Sequence, residues 1–159
     1  IRKCQKYFKR EDLIEIAKQL AVDSVWVVRC DAADSFVQLM NEDDVKFACD
    51  LATHSEYYVR EEASRIIRLM ESKYVDKNED DIFEVLKKLS TDKVANVKIE
   101  AARATRYLLK EREGNEILKS IYIKLKNDSD ADVTYAINND IEKIEFGDEN
   151  EEEEEENDD

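Results

Sequence analysis

Apolar residues recur at helical spacing from about residue 9 to residue 146. In four successive segments they fall at i, i+3, i+4 and i+7 on both sides of a short polar interruption. In the first segment they are Leu13, Ile16, Ala17 and Leu20, then Val28, Ala32, Phe36, Leu39 and Met40. No stretch alternates apolar and polar residues over the length of a strand. The pattern predicts an all-α fold built from helical hairpins.

The polar interruptions share one signature. Each begins with Leu and has an acidic or polar residue three positions after it. Six positions further on lies a residue that is basic in three of the four copies, and Val directly precedes it. The four copies are Leu20–Arg29, Leu51–Arg60, Leu89–Lys98 and Leu125–Thr134, and their last residues are 31, 38 and 36 positions apart. This spacing is typical of a repeated hairpin, which must stack on its neighbours to bury its apolar faces. We therefore predict an α-α superhelix, a solenoid of about four hairpins over residues 9–41, 42–75, 78–112 and 114–146.

Composition separates the last residues from the rest of the chain. Residues 148–159 include ten acidic residues and no basic or apolar one, which leaves −5 of the net charge of −15 on residues 1–147. Such a segment has nothing to bury and repels itself. We predict a repeat domain over residues 1–146 and a disordered acidic tail over residues 147–159. The initial Ile, in place of Met, is typical of a piece of a longer chain.

Charge and cysteine content narrow the classes of function. The basic residues are scattered, which argues against nucleic acid as a partner, and no apolar run approaches the roughly 18 residues of a membrane span. Three cysteines, an odd number, fit reduced thiols rather than a disulfide framework. We expect a protein of the cytoplasm and nucleus.

Candidate catalytic and metal-binding chemistry is sparse. No Gly-rich phosphate loop, nucleophile elbow or poised Cys and His pair is present. His54 and Cys49 are two ligand types without a second pair, and the acidic residues near 43–44 and 79–81 lie at predicted helix starts, where the macrodipole accounts for them. We expect no enzyme activity, no metal and no cofactor.

The turn sequences resemble those of HEAT repeats, and more narrowly the C-terminal repeats of the phosphatase 2A scaffolding-subunit family. The segment Asp92-Lys-Val-Ala-Asn-Val-Lys98 and, one hairpin later, Leu125–Val133 carry the resemblance best. Asp23-Ser-Val-Trp-Val-Val-Arg29 and His54-Ser-Glu-Tyr-Tyr-Val-Arg60 occupy the places of two earlier repeats. Order and spacing agree over residues 11–145.

The resemblance implies a non-catalytic scaffold that binds a phosphatase catalytic subunit through the turns inside each repeat, together with regulatory subunits. The residues that it places in this contact are Val25, Trp26, Glu56, Tyr57, Val94, Ala95, Asp130 and Ala131. Trp26 suits the role of an anchor because aromatic residues dominate binding hot spots. Its alternative role is to pack inside the first hairpin.

Three departures from the family pattern keep a second function open. His54 replaces the turn Asp, which weakens any charge ladder between repeats, and Thr134 replaces the fourth basic residue. An acidic tail also follows the last repeat. The alternative is another HEAT-repeat adaptor, such as a transport receptor or a chromosome-organising subunit, whose tail binds a basic protein.

Overall fold

In a computed structural model, residues 8–140 are described, and within this range the chain is helical without a strand. The all-α prediction is confirmed. The acidic tail and the last part of the predicted fourth repeat lie outside the described residues. The α-helices of the described range are Arg10–Leu20 (α1), Trp26–Leu39 (α2), Val45–Leu51 (α3), Tyr57–Leu69 (α4), Ser72–Lys77 (α5), Glu79–Leu89 (α6), Ala95–Glu111 (α7), Glu116–Lys126 (α8) and Ala131–Tyr135 (α9).

Two shorter elements complete the path of the chain. A 3₁₀ turn at Glu42–Asp44 leads into α3, and a π-helical turn at Ala136–Asp140 follows α9. Gly114 has φ of +84° between α7 and α8, a left-handed conformation that Gly adopts without steric cost, and the Asn115 side chain accepts a hydrogen bond from the Leu118 N–H to cap α8. The Gly-Asn pair therefore ends one hairpin and starts the next.

The helices pack in two rows. Helices α1, α3, α6 and α8 each pair with the helix that follows the next turn, namely α2, α4, α7 and α9. Along the second row α2 contacts α4, α4 contacts α7, and α7 contacts α9; along the first row α3 contacts α6 and α6 contacts α8. Consecutive hairpins are therefore neighbours in space.

One hydrophobic core runs between the two rows. Its large, fully buried side chains include Phe36, Ile66, Ile67, Leu86 and Leu108. In three of the four hairpins a small residue lies four positions after the Val of the turn signature, and these residues, Ala32, Ala63 and Ala101, are buried, which lets the second-row helices lie close to their neighbours.

Two predicted core stripes are wrong in part. In α1, Ile16 is 41% exposed and Leu20 is also exposed, while Ile14 and Ala21 are buried beside Leu13 and Ala17. The face buried by α1 is therefore centred on Ala17 but turned toward Ile14, away from Ile16. In the fourth segment the helical spacing predicts a stripe of Ile117, Leu118, Ile121 and Leu125. In α8 Ile117 is exposed, because Leu118, Ile121, Tyr122 and Leu125 form the buried face.

Helix α5 was not predicted, and it accounts for the longest interval between turns. It straddles the boundary predicted between residues 42–75 and 78–112, in the 38-residue interval. Val75 is buried in the core, the Tyr74 hydroxyl donates to the Met40 carbonyl at 3.2 Å, and Lys77 pairs with Glu42. The extra residues are thus packed onto the preceding hairpin.

Candidate protein-binding edge

The turns inside the four hairpins are built alike. In each, a side chain accepts a hydrogen bond from the backbone N–H two residues later: Asp23 from Val25 at 2.7 Å, His54 Nδ1 from Glu56 at 3.1 Å, Asp92 from Val94 at 3.0 Å and Asp128 from Asp130 at 2.8 Å. We call residues 23–26, 54–57, 92–95 and 128–131 the turn edge. An acceptor side chain at this position mimics a backbone turn, so it sets where the following helix begins.

Ser24 and Ser55, the short polar residues in the first two turns, do not cap the helices that follow them. Helices α2, α4 and α7 start after Val25, Glu56 and Val94, none of which caps its helix with a side chain. Only the last turn has such a cap, where Asp130 accepts from the Asp132 N–H at 3.0 Å.

The basic residue one turn into the second helix secures its own turn. Nη1 of Arg29 donates to the carbonyls of Asp23 and Ser24 at 2.9 and 3.0 Å. Nη1 of Arg60 donates to the carbonyls of His54 and Ser55, both at 2.9 Å. A guanidinium has enough donors to serve two carbonyls and still bind a carboxylate, which is why Arg suits this position.

Two of the basic residues at this position, Arg60 and Lys98, also join neighbouring turns. Nε and Nη2 of Arg60 bind the two carboxylate oxygens of Asp92 at 2.6 and 3.0 Å, and Lys98 Nζ binds Asp128 at 2.6 Å. Both pairs are largely buried. Charge-assisted bonds of this kind fix geometry, so the second, third and fourth turns lie side by side.

The acidity of these carboxyls reflects the pairing. Burial alone would raise the pKa of Asp92, but the bonds from Arg60 and from the Val94 N–H outweigh it and hold the pKa below its usual value. Burial also acts against Asp128, and the bonds from Lys98 and the Asp130 N–H lower its pKa in the same way. Both carboxylates are therefore ionised in the folded protein at neutral pH.

The first interval between turns is connected differently. His54 offers Arg29 no carboxylate, and Arg29 instead lies over the Tyr58 ring at 4.7 Å and 3.7 Å from Oε2 of Glu62. Glu62 is only 3% exposed, and Nε of Arg65 lies 3.3 Å from its Oε1. Burial raises the pKa of Glu62 to about 7, with Arg65 and Arg29 opposing the rise and Glu100 and Glu61 adding to it. Arg29 therefore has an interior charge contact with Glu62, where Arg60 and Lys98 form hydrogen-bonded ion pairs with the next turn.

The fourth turn lacks the basic residue that the other three turns have. Thr134 takes the place of the basic residue, and its hydroxyl donates to the Ala131 carbonyl at 3.1 Å. Thr134 has no charge to offer a further turn.

The predicted contact residues divide into two groups by exposure. Trp26 is 63% exposed, and Val25, Glu56, Tyr57 and Ala131 are exposed as well. Val94, Ala95 and Asp130 are half-buried, and Val94 and Ala95 pack against the core. The alternative in which Trp26 packs inside the hairpin is wrong. Of the two adjacent tyrosines, Tyr57 is exposed, whereas the ring of Tyr58 contacts Arg29. The exposed aromatic residues of the predicted contact set, Trp26 and Tyr57, thus lie at the first two turns.

Two further exposed apolar residues near the first turn in the sequence were missed. Val22, which lies just after the end of the first helix, and Val27, which follows Trp26 in the sequence, are also exposed. The signal was the apolar run from Val25 to Val28, because four consecutive residues at a helix start cannot all face one side of it.

The part of the chain that the structure describes shows little reactive chemistry. No group of three or more His, Cys, Asp or Glu side chains within it could hold a metal ion. Burial, with Asp81 and Asp50 nearby, raises the pKa of Cys49 to about 11, which leaves its thiol protonated and a poor nucleophile. None of the described helices is long and apolar enough to cross a membrane.

Neither protein-family models, nor curated proteins, nor solved structures gave a match to this chain.

Proposed function

We propose that this chain is a HEAT-repeat solenoid that acts as a non-catalytic scaffold, and that its turn edge binds a phosphatase 2A-type catalytic subunit in the cytoplasm and nucleus. The observation that carries the proposal is the repeated construction of the four turns. Each has a side-chain acceptor at the same position, an Asp in three turns and His54 in the second, and the last three turns are joined by Arg60–Asp92 and Lys98–Asp128. A row of equivalent, fixed turns is a surface that repeat proteins use to bind other proteins.

The physical case rests on rigidity and on an aromatic anchor. Side chains that are already held in place lose less conformational entropy on binding, so the paired turns favour association. Trp26 presents a large apolar surface at the first turn, flanked by Val25 and Val27, and Tyr57 follows at the second turn. Trp and Tyr are the residue types most often found at binding hot spots.

The deciding experiment is calorimetric titration of the chain with a purified phosphatase 2A catalytic subunit. Trp26→Ala should weaken binding by about 2 kcal/mol or more, the hot-spot range. The matched control is Tyr107→Ala, since Tyr107 is also an exposed aromatic but lies twelve residues after the start of α7, about 18 Å along the helix from the turn edge. Absence of binding by the folded wild-type chain, or an equal loss in both variants, would overturn the proposal.

A second candidate is a HEAT-repeat adaptor of another kind that binds a basic protein. The observation that favours it is the concentration of ten acidic residues in residues 148–159. Binding to a basic protein that disappears when residues 148–159 are removed, in a chain that does not bind the catalytic subunit, would favour this adaptor over the phosphatase scaffold.

A further inference from the structure

A groove separates two helices of the first row, α3 and α6. It encloses about 660 Å³, within the range of ligand-binding clefts, and its floor is formed by Val45, Cys49 and Val85. Val45 is buried, while Cys49 and Val85 are half-buried and pack against the core. The groove therefore offers an apolar floor that an inserted side chain can contact.

The walls of this α3/α6 groove are strongly acidic. Five carboxylates line it against the two ammonium groups of Lys46 and Lys88, a net charge of −3; they belong to Glu42, Asp43, Asp50, Asp81 and Glu84. Within residues 8–140, Glu42 pairs with Lys77, Asp50 with Lys46 and Glu84 with Lys87. Asp43 and Asp81 form no ion pair with a described residue. Their negative charge is therefore open to a ligand.

The neighbouring groove shows that this charge is not a general property of the row. The groove between α6 and α8 encloses about 430 Å³ and has its own apolar residues, Phe83, Ile117 and Ile121. Its two carboxylates, Asp80 and Glu84, are balanced by Lys87 and Lys124. By their lining residues the two grooves thus differ in net charge by three, and the α3/α6 groove adds to its apolar floor two carboxylates, those of Asp43 and Asp81, that pair with no described residue.

We propose that the α3/α6 groove binds a basic amphipathic segment of a partner protein. An apolar side chain of that segment packs on Val45, Cys49 and Val85, and flanking Lys or Arg residues pair with Asp43 and Asp81. This is helix-in-groove recognition, in which apolar anchors supply contact area and charges fix orientation. The groove lies between first-row helices and includes no turn-edge residue, so the proposal stands independently of the catalytic subunit.

The test uses a matched pair of charge reversals in the full-length chain. Asp80 and Asp81 are adjacent, exposed and in the first turn of α6, but Asp81 lines the α3/α6 groove and Asp80 the balanced one. Asp81→Lys and Asp80→Lys change net charge and the α6 macrodipole equally and leave the acidic tail intact. Any difference in ligand affinity between the two variants is therefore due to the α3/α6 groove.

The probe is a fluorescein-labelled 18-residue peptide with leucines at i, i+3, i+4 and i+7 and lysines on its other face, measured by fluorescence anisotropy in 100 mM salt. Asp81→Lys should raise its Kd about fivefold or more, and Asp80→Lys less than about twofold. A peptide with serines in place of the leucines should bind about tenfold more weakly. Should Asp81→Lys fail to fold, Asp81→Asn and Asp80→Asn replace the pair. Equal Kd values for the two variants, or equal binding of the serine peptide, would overturn the proposal, because either result means binding by overall charge.

Discussion

The ion pair between Arg60 and Asp92 provides the sharpest test of how the turns are joined. Asp92→Asn keeps the size of the side chain and an oxygen for the Val94 N–H, but it removes the charge that both Nε and Nη2 of Arg60 contact. Each side chain of this pair is only 11% exposed. Breaking a buried pair costs about 3 to 5 kcal/mol when one charge is left without a partner.

The expected loss is smaller than that range because Arg60 keeps two partners. Its Nη1 still donates to the carbonyls of His54 and Ser55. We therefore expect Asp92→Asn to lower the free energy of unfolding by about 2 kcal/mol, between the cost of a lost charged hydrogen bond and that of a broken buried pair.

Urea unfolding at pH 7, followed by circular dichroism, measures this difference. The control is Asp50→Asn, because Asp50 pairs with Lys46 at 3.1 Å in a pair whose side chains are 80% and 63% exposed. Exposed pairs of this type contribute about 0.5 kcal/mol or less. If Asp92→Asn costs no more than Asp50→Asn, the turns are not held together by the bond that we describe.

The pH dependence of the free energy of unfolding provides a second test with the same variant. The pKa of Asp92 is lowered in the folded chain, so its contribution is fully present above the unfolded value of about 4 and is lost as pH falls through the folded pKa. Wild type and Asp92→Asn should therefore converge in stability as pH falls from about 4 through the folded pKa of Asp92. A constant difference across that range would show that the effect of the substitution is steric.

Three further predictions follow from burial and charge. Glu62→Gln should remove a fall in stability of about 3 kcal/mol between about pH 4 and pH 7, because a carboxyl whose pKa is raised to about 7 keeps a proton in the folded chain that it has already lost in the unfolded chain; an unchanged pH profile in urea unfolding would contradict this. Phe36→Ala should cost about 3 to 5 kcal/mol and lower Tm sharply, since the ring is fully buried, and calorimetry with an unchanged Tm would show that the core is misassigned. Removing residues 148–159 should leave Tm nearly unchanged because they contain no apolar residue, and a large decrease would show that they pack on the domain.

The helical class and most of the core could be predicted from the sequence because the signal is local. Helical spacing needs only neighbouring residues, and the positions after each Val, such as Ala63, Ile66 and Ile67, are buried as expected. The turns could be predicted equally well, since the polar residue that accepts the hydrogen bond from the backbone N–H lies only two residues before that donor. The same local reading predicted that Trp26 lies at a turn, and it is exposed there.

The features that the sequence did not predict depend on contacts between residues that are far apart in the chain. Ile16 and Leu20 have helical spacing with Leu13, yet the direction of α2 selects Ile14 and Ala21 instead. The groove beside α6 is similar, because the allocation of Asp80 to one groove and Asp81 to the other depends on which helices flank α6. Periodicity indicates that a helix has a buried face, whereas its exact direction is set by the partner helix.

The replacement of Asp by His at position 54 links sequence, packing and pH response. Where the turn has Asp, as at Asp92 and Asp128, the joint between hairpins is an ion pair whose carboxyl has a lowered pKa, so these joints weaken only in acid. Where the turn has His54, Arg29 lies beside the buried Glu62, whose raised pKa means that its contribution to stability is greatest below the unfolded value of about 4 and is lost as pH rises to about 7. The two kinds of joint therefore respond to pH in opposite directions. Together, these three carboxyls favour the folded chain most near their unfolded pKa values of about 4, because Asp92 and Asp128 lose their contribution below that pH and Glu62 loses its contribution above it.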